Sequence, residues 1–470
     1  MRNAVPVLAL ALAAGCSLAP KHVRPELASA PVYPAAYAGD SLAGERATAV
    51  GWRDFIEDPR LETLIDSALG NNRDLAIALA RVEEARGIYR IQGADRLPTV
   101  GASAGAARSR TGAASFGVPG AADGEAVEID RYSVNVGVSA FELDFWGRVR
   151  SLTEAARSQF LATVQAQRAF RLSLVRQVAG TYLASREAAE RIRLAEATVQ
   201  SRREGLEIAR TRLEAGITSE LDYRQAESLL TQAEAELASL RLTRARAENA
   251  LAVLVGVRVE APLPEPRPLT AQVSARALEA GLPSELLVAR PDIIAAEEQL
   301  RAARANIGAA RAAFFPSISL TGSLGFASTE LSDLLGNDGL AWSFGPSINL
   351  PIFDNGRRRG NLTVAKARED VAVASYERTV QRAFQEVADA LAGRRYLAEQ
   401  VAAQERATEA QRRIAALART RYEEGVVSYL EVLDAERNLF AAEQALLQVR
   451  RAEADNLIAL YVSLGGGLLD

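Results

Sequence analysis

The chain has 470 residues, 55 basic and 59 acidic side chains, a formal net charge of −4, and one each of His, Cys and Met. That mildly acidic balance offers no basic field for nucleic acid, and with only His22, Cys16 and the initiating Met1 available, His/Cys metal ligation and Ser-His or Cys-His catalysis are all but excluded. Carboxylate-only chemistry survives the count, but the carboxylates lie along amphipathic stretches where they read as solvated helix faces, so the chain reads as a non-enzyme with no metal and no cofactor.

At the N-terminus, Arg2 is followed by the apolar run Ala4 to Ala14, ending Leu12-Ala-Ala-Gly15-Cys16. Residues 1–15 read as a secretory signal peptide, too short to span a bilayer as a mature helix. Its removal leaves 54 basic against 59 acidic residues. A lone secreted cysteine is a free thiol, an intermolecular disulfide partner or an acylation site. The small residues before Cys16 favour covalent lipid, palmitate included, although Leu12 stands four residues before it rather than the usual three. Ser17 in the next position resembles lipoproteins sorted to an outer membrane. Residues 16–60 then form a lipid-anchored arm.

Leu61 to Arg96, Arg148 to Glu214, Glu220 to Val255, Glu285 to Phe314, Arg357 to Glu423 and Tyr429 to Ser463 are poor in Gly and Pro and rich in Ala, Leu, Arg and Glu, and read as helices. Residues Arg210 to Leu221 are echoed at Arg419 to Leu430, 209 positions later, and the register holds without a gap to Gly256 and Gly465. The chain is thus two copies of one unit. The first, 61–256, comprises a helix, strands at 97–110 and 130–145, a long helix 147–214, a turn 215–219 and a helix 220–256. A Pro-rich linker, 257–284, precedes the second, 285–464, with strands at 315–328 and 340–353, a long helix 356–424, a turn 425–428 and a helix 429–464; residues 465–470 are a tail. The first copy carries a Gly/Ala/Ser-rich insertion from Thr111 to Gly124, read as a lengthened loop. Ala226, Leu230, Ala233, Leu237, Leu240, Arg244, Ala247, Leu251 and Leu254 keep the 4-3 spacing of a heptad seam. The two long helices reach about 100 Å at 1.5 Å per residue, which demands an elongated assembly.

Three of the four strand segments alternate clearly, and the fourth, Pro98 to Arg108, does so more weakly because Ala and Gly fill it. Trp342, Phe344, Pro346, Ile348 and Leu350 oppose Ser343, Gly345, Ser347 and Asn349, while Ile318, Leu320, Leu324 and Phe326 oppose small polar residues. So do Tyr132, Val134, Val136 and Val138. Such two-residue alternation over about 10 residues fits membrane strands with lipid on one face and water on the other; a half-buried soluble strand reads alike. The signal peptide and the aromatic residues Phe141, Trp146 and Phe353 at strand ends favour the membrane. The Tyr132 strand aligns with the Trp342 strand at 210 rather than 209, which predicts a one-residue bulge near Ala140 to Glu142. Open sheet edges are not tolerated in lipid, so four strands require oligomerisation, and the wide opening needed by a ring of long helices favours three copies.

Glu142-Leu-Asp-Phe-Trp-Gly147-Arg148, Arg290-Pro-Asp292-Ile293, Phe314-Phe-Pro316-Ser-Ile-Ser319-Leu, Leu350-Pro-Ile-Phe-Asp-Asn-Gly356-Arg357 and the two Gly-x-x-Ser turns resemble the outer-membrane factors of tripartite efflux systems, the TolC, OprM and NodT kind, in its lipoprotein branch. The resemblance spans the mature chain. It implies a mainly α protein with a transmembrane β part: a homotrimer with a 12-stranded barrel in outer-membrane lipid, a 12-helix periplasmic tunnel, and a mixed belt built from residues 261–283, the arm 21–59 and the tail. It also implies a periplasmic adaptor (membrane fusion) protein and an inner-membrane transporter of the resistance-nodulation-division type as partners.

On that resemblance, Gly216, Ile217, Thr218, Ser219 and Gly425, Val426, Val427, Ser428 are tips where adaptor hairpins dock; read from residue type alone, they are Gly C-caps and Ser N-caps. The resemblance places a gate at Tyr422, Arg421, Glu431, Asp434 and Arg437. Residues 431, 434 and 437 share a helix face, and three copies of Glu431 and Asp434 around an axis make a ring that attracts cations. Arg212 and Asp222 are the first-copy counterparts, in a helix pair expected to be less tied. The implied function is a passive exit duct for small molecules. A duct for type I protein secretion and a lipid-anchored coiled-coil scaffold without a pore are the rival readings.

Overall fold

A computed structural model of the chain describes residues 18–25, 45–111, 127–257, 262–274, 278–279 and 286–468. The signal segment, Cys16, most of the inserted loop and parts of the linker and tail lie outside them. The elements, in order, are β1 (Glu45–Arg46), α1 (Trp52–Phe55), α2 (Pro59–Asn71), α3 (Arg73–Ala94), β2 (Val100–Thr111), β3 (Val127–Glu142), α4 (Arg148–Glu214), α5 (Glu220–Val255), β4 (Leu278–Glu279), α6 (Leu286–Ala289), α7 (Pro291–Ala312), β5 (Ser317–Ser328), β6 (Leu340–Asn349), α8 (Arg357–Glu423) and α9 (Tyr429–Ser463). They belong to two compact units, each drawing on both halves of the chain: Met1–Pro25, Val82–Thr163 and Ala296–Ser375 in one, and Glu26–Arg81, Val164–Ala295 and Tyr376–Asp470 in the other.

The first unit holds an antiparallel four-stranded sheet of order β2-β3-β5-β6. Its two faces differ as the alternation requires. Trp342, Phe344 and Ile348 are 74%, 64% and 71% exposed on β6, whereas on the other parity hydroxyls bond across strands: Ser323 with Ser343 and Ser319 with Ser347 at 2.7 Å, and Ser103 donating to Asn135 Oδ1 at 2.9 Å. The β3/β5 register shifts between Val138 and Phe141, with Ala140 at φ 53°, so the bulge lies within a residue or two of its expected place. β6 stops at Asn349, short of the expected 353, because Pro351 follows and has no N–H for a ladder. Trp146 stacks on Phe315 at 4.5 Å and donates its indole N–H to Pro316 O at 2.9 Å. Gly147 (φ 70°) and Gly356 (φ 84°) adopt the left-handed backbone that turns each sheet segment into a long helix.

The second unit is mainly helical, with β1 and β4 paired in parallel. The α5 seam is buried from Leu230 to Leu240 against Ile192, Ala195 and Val199 of α4, and at Ala226 against Ala209 and Leu433; beyond it, Arg244 is exposed. The single helix expected over Leu61 to Arg96 is broken at Asn72, which is extended (φ −62°, ψ 129°). Asn72 Oδ1 accepts from Leu75 N at 2.9 Å, and its amide donates to Leu254 O at 2.8 Å. A side chain that caps one helix and holds the end of another outcompetes one further helical residue. Likewise, the helix expected from Glu285 is interrupted at Arg290, before Pro291. Buried Asp58 caps α2 through Arg60 N (2.8 Å) while accepting from Tyr182 Oη (2.8 Å) and Arg267 N (3.0 Å), and Tyr461 stacks on Phe55 at 4.2 Å. Among the described residues no helix is long and apolar enough to cross a membrane, which bears on helices alone.

Candidate functional site

The two helix-to-helix turns of the second unit close in the same way. Gly216 N bonds Leu213 O at 3.0 Å and Ile217 N bonds Arg212 O at 2.9 Å; Gly425 N bonds Tyr422 O at 2.9 Å and Val426 N bonds Arg421 O at 2.8 Å. With both glycines at positive φ, 70° and 75°, each is a Schellman C-cap. The turns present apolar tips to solvent, Ile217 at 73% and Val426 at 63% exposure.

Their N-caps differ. Ser219 forms a full capping box: its hydroxyl accepts from Asp222 N at 3.2 Å, and Asp222 Oδ2 accepts from Ser219 N at 3.2 Å and Thr218 Oγ1 at 2.7 Å. The Thr218 and Ser219 hydroxyls hold the Asp222 carboxyl below its ordinary range. Ser428, expected to cap α9 in the same manner, makes no side-chain cap bond. The residue in Asp222's place is Glu431, and Arg421 takes it at 2.7 Å.

The expected gate residues fall into three groups. Arg421 and Glu431 form that bridge across the second turn. Asp434 accepts from Arg437 one turn along α9, on an exposed face. Tyr422 lies over the buried Ala415, Ala418, Val432 and Ala435 cluster, with the Tyr429 ring at 5.0 Å and the Arg212 guanidinium at 5.1 Å from its own ring. Arg212 therefore ties the first helix pair to the second by a cation–π contact. Asp222, folded into its own cap, is not brought to this cluster.

Tyr429 was not singled out by residue pattern. It packs with Leu433 onto Ala209 and Ala226 of the first pair, and a Cβ on Gly205 would lie 2.1 Å from its hydroxyl oxygen. Burial pushes the Tyr429 phenol up to about 12. The signal was present: a Gly inside a helix costs about 1 kcal/mol relative to Ala, so Gly205 within a 67-residue helix marks a close approach.

In the first unit, the segment following the expected lipid site is fastened to α7. Arg311 donates to Leu18 O at 2.9 Å and Arg304 to Val23 O at 2.7 Å. Arg304 also donates to His22 Nδ1 at 3.1 Å, which leaves the proton on Nε2, 3.0 Å from buried Glu297. Against the effect of burial, Arg24, His22 and Arg301 hold the Glu297 carboxyl below its ordinary range.

A family model described as outer membrane efflux protein matches residues 64–257 and 282–466. The chain is 42% identical over 470 residues to the toluene efflux pump outer membrane protein TtgI of Pseudomonas putida, covering 99% of this chain and 98% of that one. It is 41% identical over 461 residues to the cation efflux system protein CusC of Escherichia coli, covering 98% and 97%. The open-state crystal structure of the Neisseria gonorrhoeae MtrE outer membrane channel superposes with a TM-score of 0.87 at 39% identity, covering 97% of this chain and 99% of that one.

Proposed function

The chain belongs to the outer membrane efflux protein family, and from that premise we propose that it is the outer-membrane exit duct of a tripartite efflux pump, conducting small molecules passively outward. The observation that carries this reading is the two-faced sheet, whose outer strands β2 and β6 continue in the chain from α3 and into α8. Three copies joined edge to edge make a closed 12-stranded wall, and the helices follow as a tunnel. A periplasmic adaptor docks at the apolar tips around Gly216 to Ser219 and Gly425 to Ser428, and a transporter of the resistance-nodulation-division type supplies the driving force.

The gate is the cluster of Arg421, Tyr422, Glu431, Asp434 and Arg437 with Arg212; Asp222 serves as its cap neighbour. Opening separates the Tyr422–Arg212 contact and the Arg421–Glu431 bridge, each weak enough when exposed to break reversibly. The duct carries out no chemistry and holds no cofactor beyond acyl chains on Cys16. The measurement that tests this is planar-bilayer conductance of the purified mature protein, with trimer mass checked on the same sample. Cation-selective openings from a trimer are expected; a trimer that never conducts returns the chain to a scaffold role.

A further inference from the structure

We infer that Ser428 and Glu431 are a latent capping box, which closes only when the Arg421–Glu431 bridge breaks, so that one carboxylate exchanges partners as the tip opens. The inference rests on the gate reading above. Its ground is that the chain contains the same motif twice and shows it in two conditions. Ser219-Glu-Leu-Asp222 and Ser428-Tyr-Leu-Glu431 stand 209 residues apart, and Ser-x-x-Glu is itself a capping-box sequence. The two serines share a backbone conformation, φ −85° and ψ 155° against φ −73° and ψ 154°. The second turn is therefore shaped for the box, yet the box is formed only in the first.

Two things differ: the Glu431 N–H donates to Ser428 O at 3.1 Å where the Asp222 N–H donates to the Ser219 hydroxyl, and the carboxylate has a competitor. In the second turn Arg421, on the last turn of α8, holds Glu431 at 2.7 Å. In the first, the equivalent Arg212 stands over the Tyr422 ring, and Asp222 is left to its cap. Val427 in place of Thr218 also removes a hydroxyl that donates to Asp222 at 2.7 Å, so Glu431 is held less firmly at its own cap. An exposed ion pair and an N-cap contribute comparably small amounts. Breaking the bridge thus releases Glu431 into a second bond of similar strength, and α9 keeps an intact start in the open tip. Ser428 is a positioning residue: it stabilises the open state and is idle in the closed one.

The test compares Arg421→Ala, Arg421→Ala/Ser428→Ala and Arg421→Ala/Ser428→Thr trimers in planar bilayers, alongside hydrogen exchange of peptides covering residues 428–431. Arg421→Ala is expected to raise open probability and slow exchange at those amides. Adding Ser428→Ala lowers open probability by about fivefold and removes the protection, and Ser428→Thr restores both. If Arg421→Ala opens the channel but Ser428→Ala changes neither readout, the partner exchange is wrong and the gate stands. If Arg421→Ala slows exchange without altering conductance, the exchange of partners is real and the gate assignment falls. If it alters neither, both fall.

Discussion

Gly205→Ala puts a defined load on the slot that joins the two helix pairs. The added Cβ would lie 2.1 Å from Tyr429 Oη and 3.2 Å from its Cζ, so the ring must shift within the slot in which it packs on Ala209 and Ala226. Overpacking of this kind costs about 1–3 kcal/mol. The gain of about 1 kcal/mol from replacing Gly by Ala inside a helix is common to both states wherever α4 stays helical, and cancels from the comparison. On the gate reading, in which opening parts the two helix pairs and frees the Tyr429 slot, the open state is spared the clash, so the open-to-closed ratio should rise roughly 5- to 150-fold, the conversion of that range at 25 °C. Single-channel recording of purified trimers gives the ratio directly. Tyr429→Phe is the control: it removes the oxygen and leaves the nearest ring atom at 3.2 Å, so Gly205→Ala/Tyr429→Phe should return to near wild-type gating. An open probability within twofold of wild type for Gly205→Ala, in a correctly assembled trimer, would show that Tyr429 does not hold the closed state.

On the gate reading, Asp434→Ala should shift the reversal potential in a salt gradient toward lower cation preference and enlarge the openings, since three copies of Asp434 would form one carboxylate ring; unchanged selectivity and conductance would refute that assignment. On α9, burial pushes the Asp455 carboxyl up to about 6, with Arg451 pulling it down and Glu187 pushing it up. Because the folded protein then binds this proton more tightly than the unfolded chain, the group's stabilising share is complete below about pH 4 and lost as pH rises through 6. Asp455→Asn should therefore raise Tm at pH 7.5, by a margin that shrinks as pH falls from 6 toward 4; a constant margin would refute the assignment. Cys16→Ser should abolish metabolic labelling with tritiated palmitate, and retained label would locate the acyl chain on another residue.

Much of the helical unit was legible because its boundaries are local chemistry. Gly216 and Gly425 need positive φ, and each long helix starts one residue after a glycine with the same need, so α4 and α8 occupy the spans their Gly and Pro content marks out. The sheet was legible for a similar reason, since a two-residue period is visible within a single strand and a one-residue mismatch of repeats reports a bulge. What escaped depends on distant partners. The break at Asn72 answers to the carbonyl of Leu254, 182 residues away. Tyr429 and Gly205 have Glu220 and Ile414 as repeat counterparts, so comparing the halves hides the slot that joins them. The silent Ser428 answers to two competitors, its own carbonyl, which takes the Glu431 N–H at 3.1 Å, and Arg421 across the turn, which takes the carboxylate, and residue type alone gives the opposite expectation.

The open edges of β2 and β6 carry a consequence for inheritance and for drug design alike. No gene copy encodes a finished wall; each encodes a third of one, and every seam is made by two different molecules. In a cell expressing a normal and an edge-defective allele equally, random mixing leaves only about one ring in eight free of the defect. A short peptide that paired with either edge before assembly would act on that same arithmetic, disabling a whole ring for each single chain it captured.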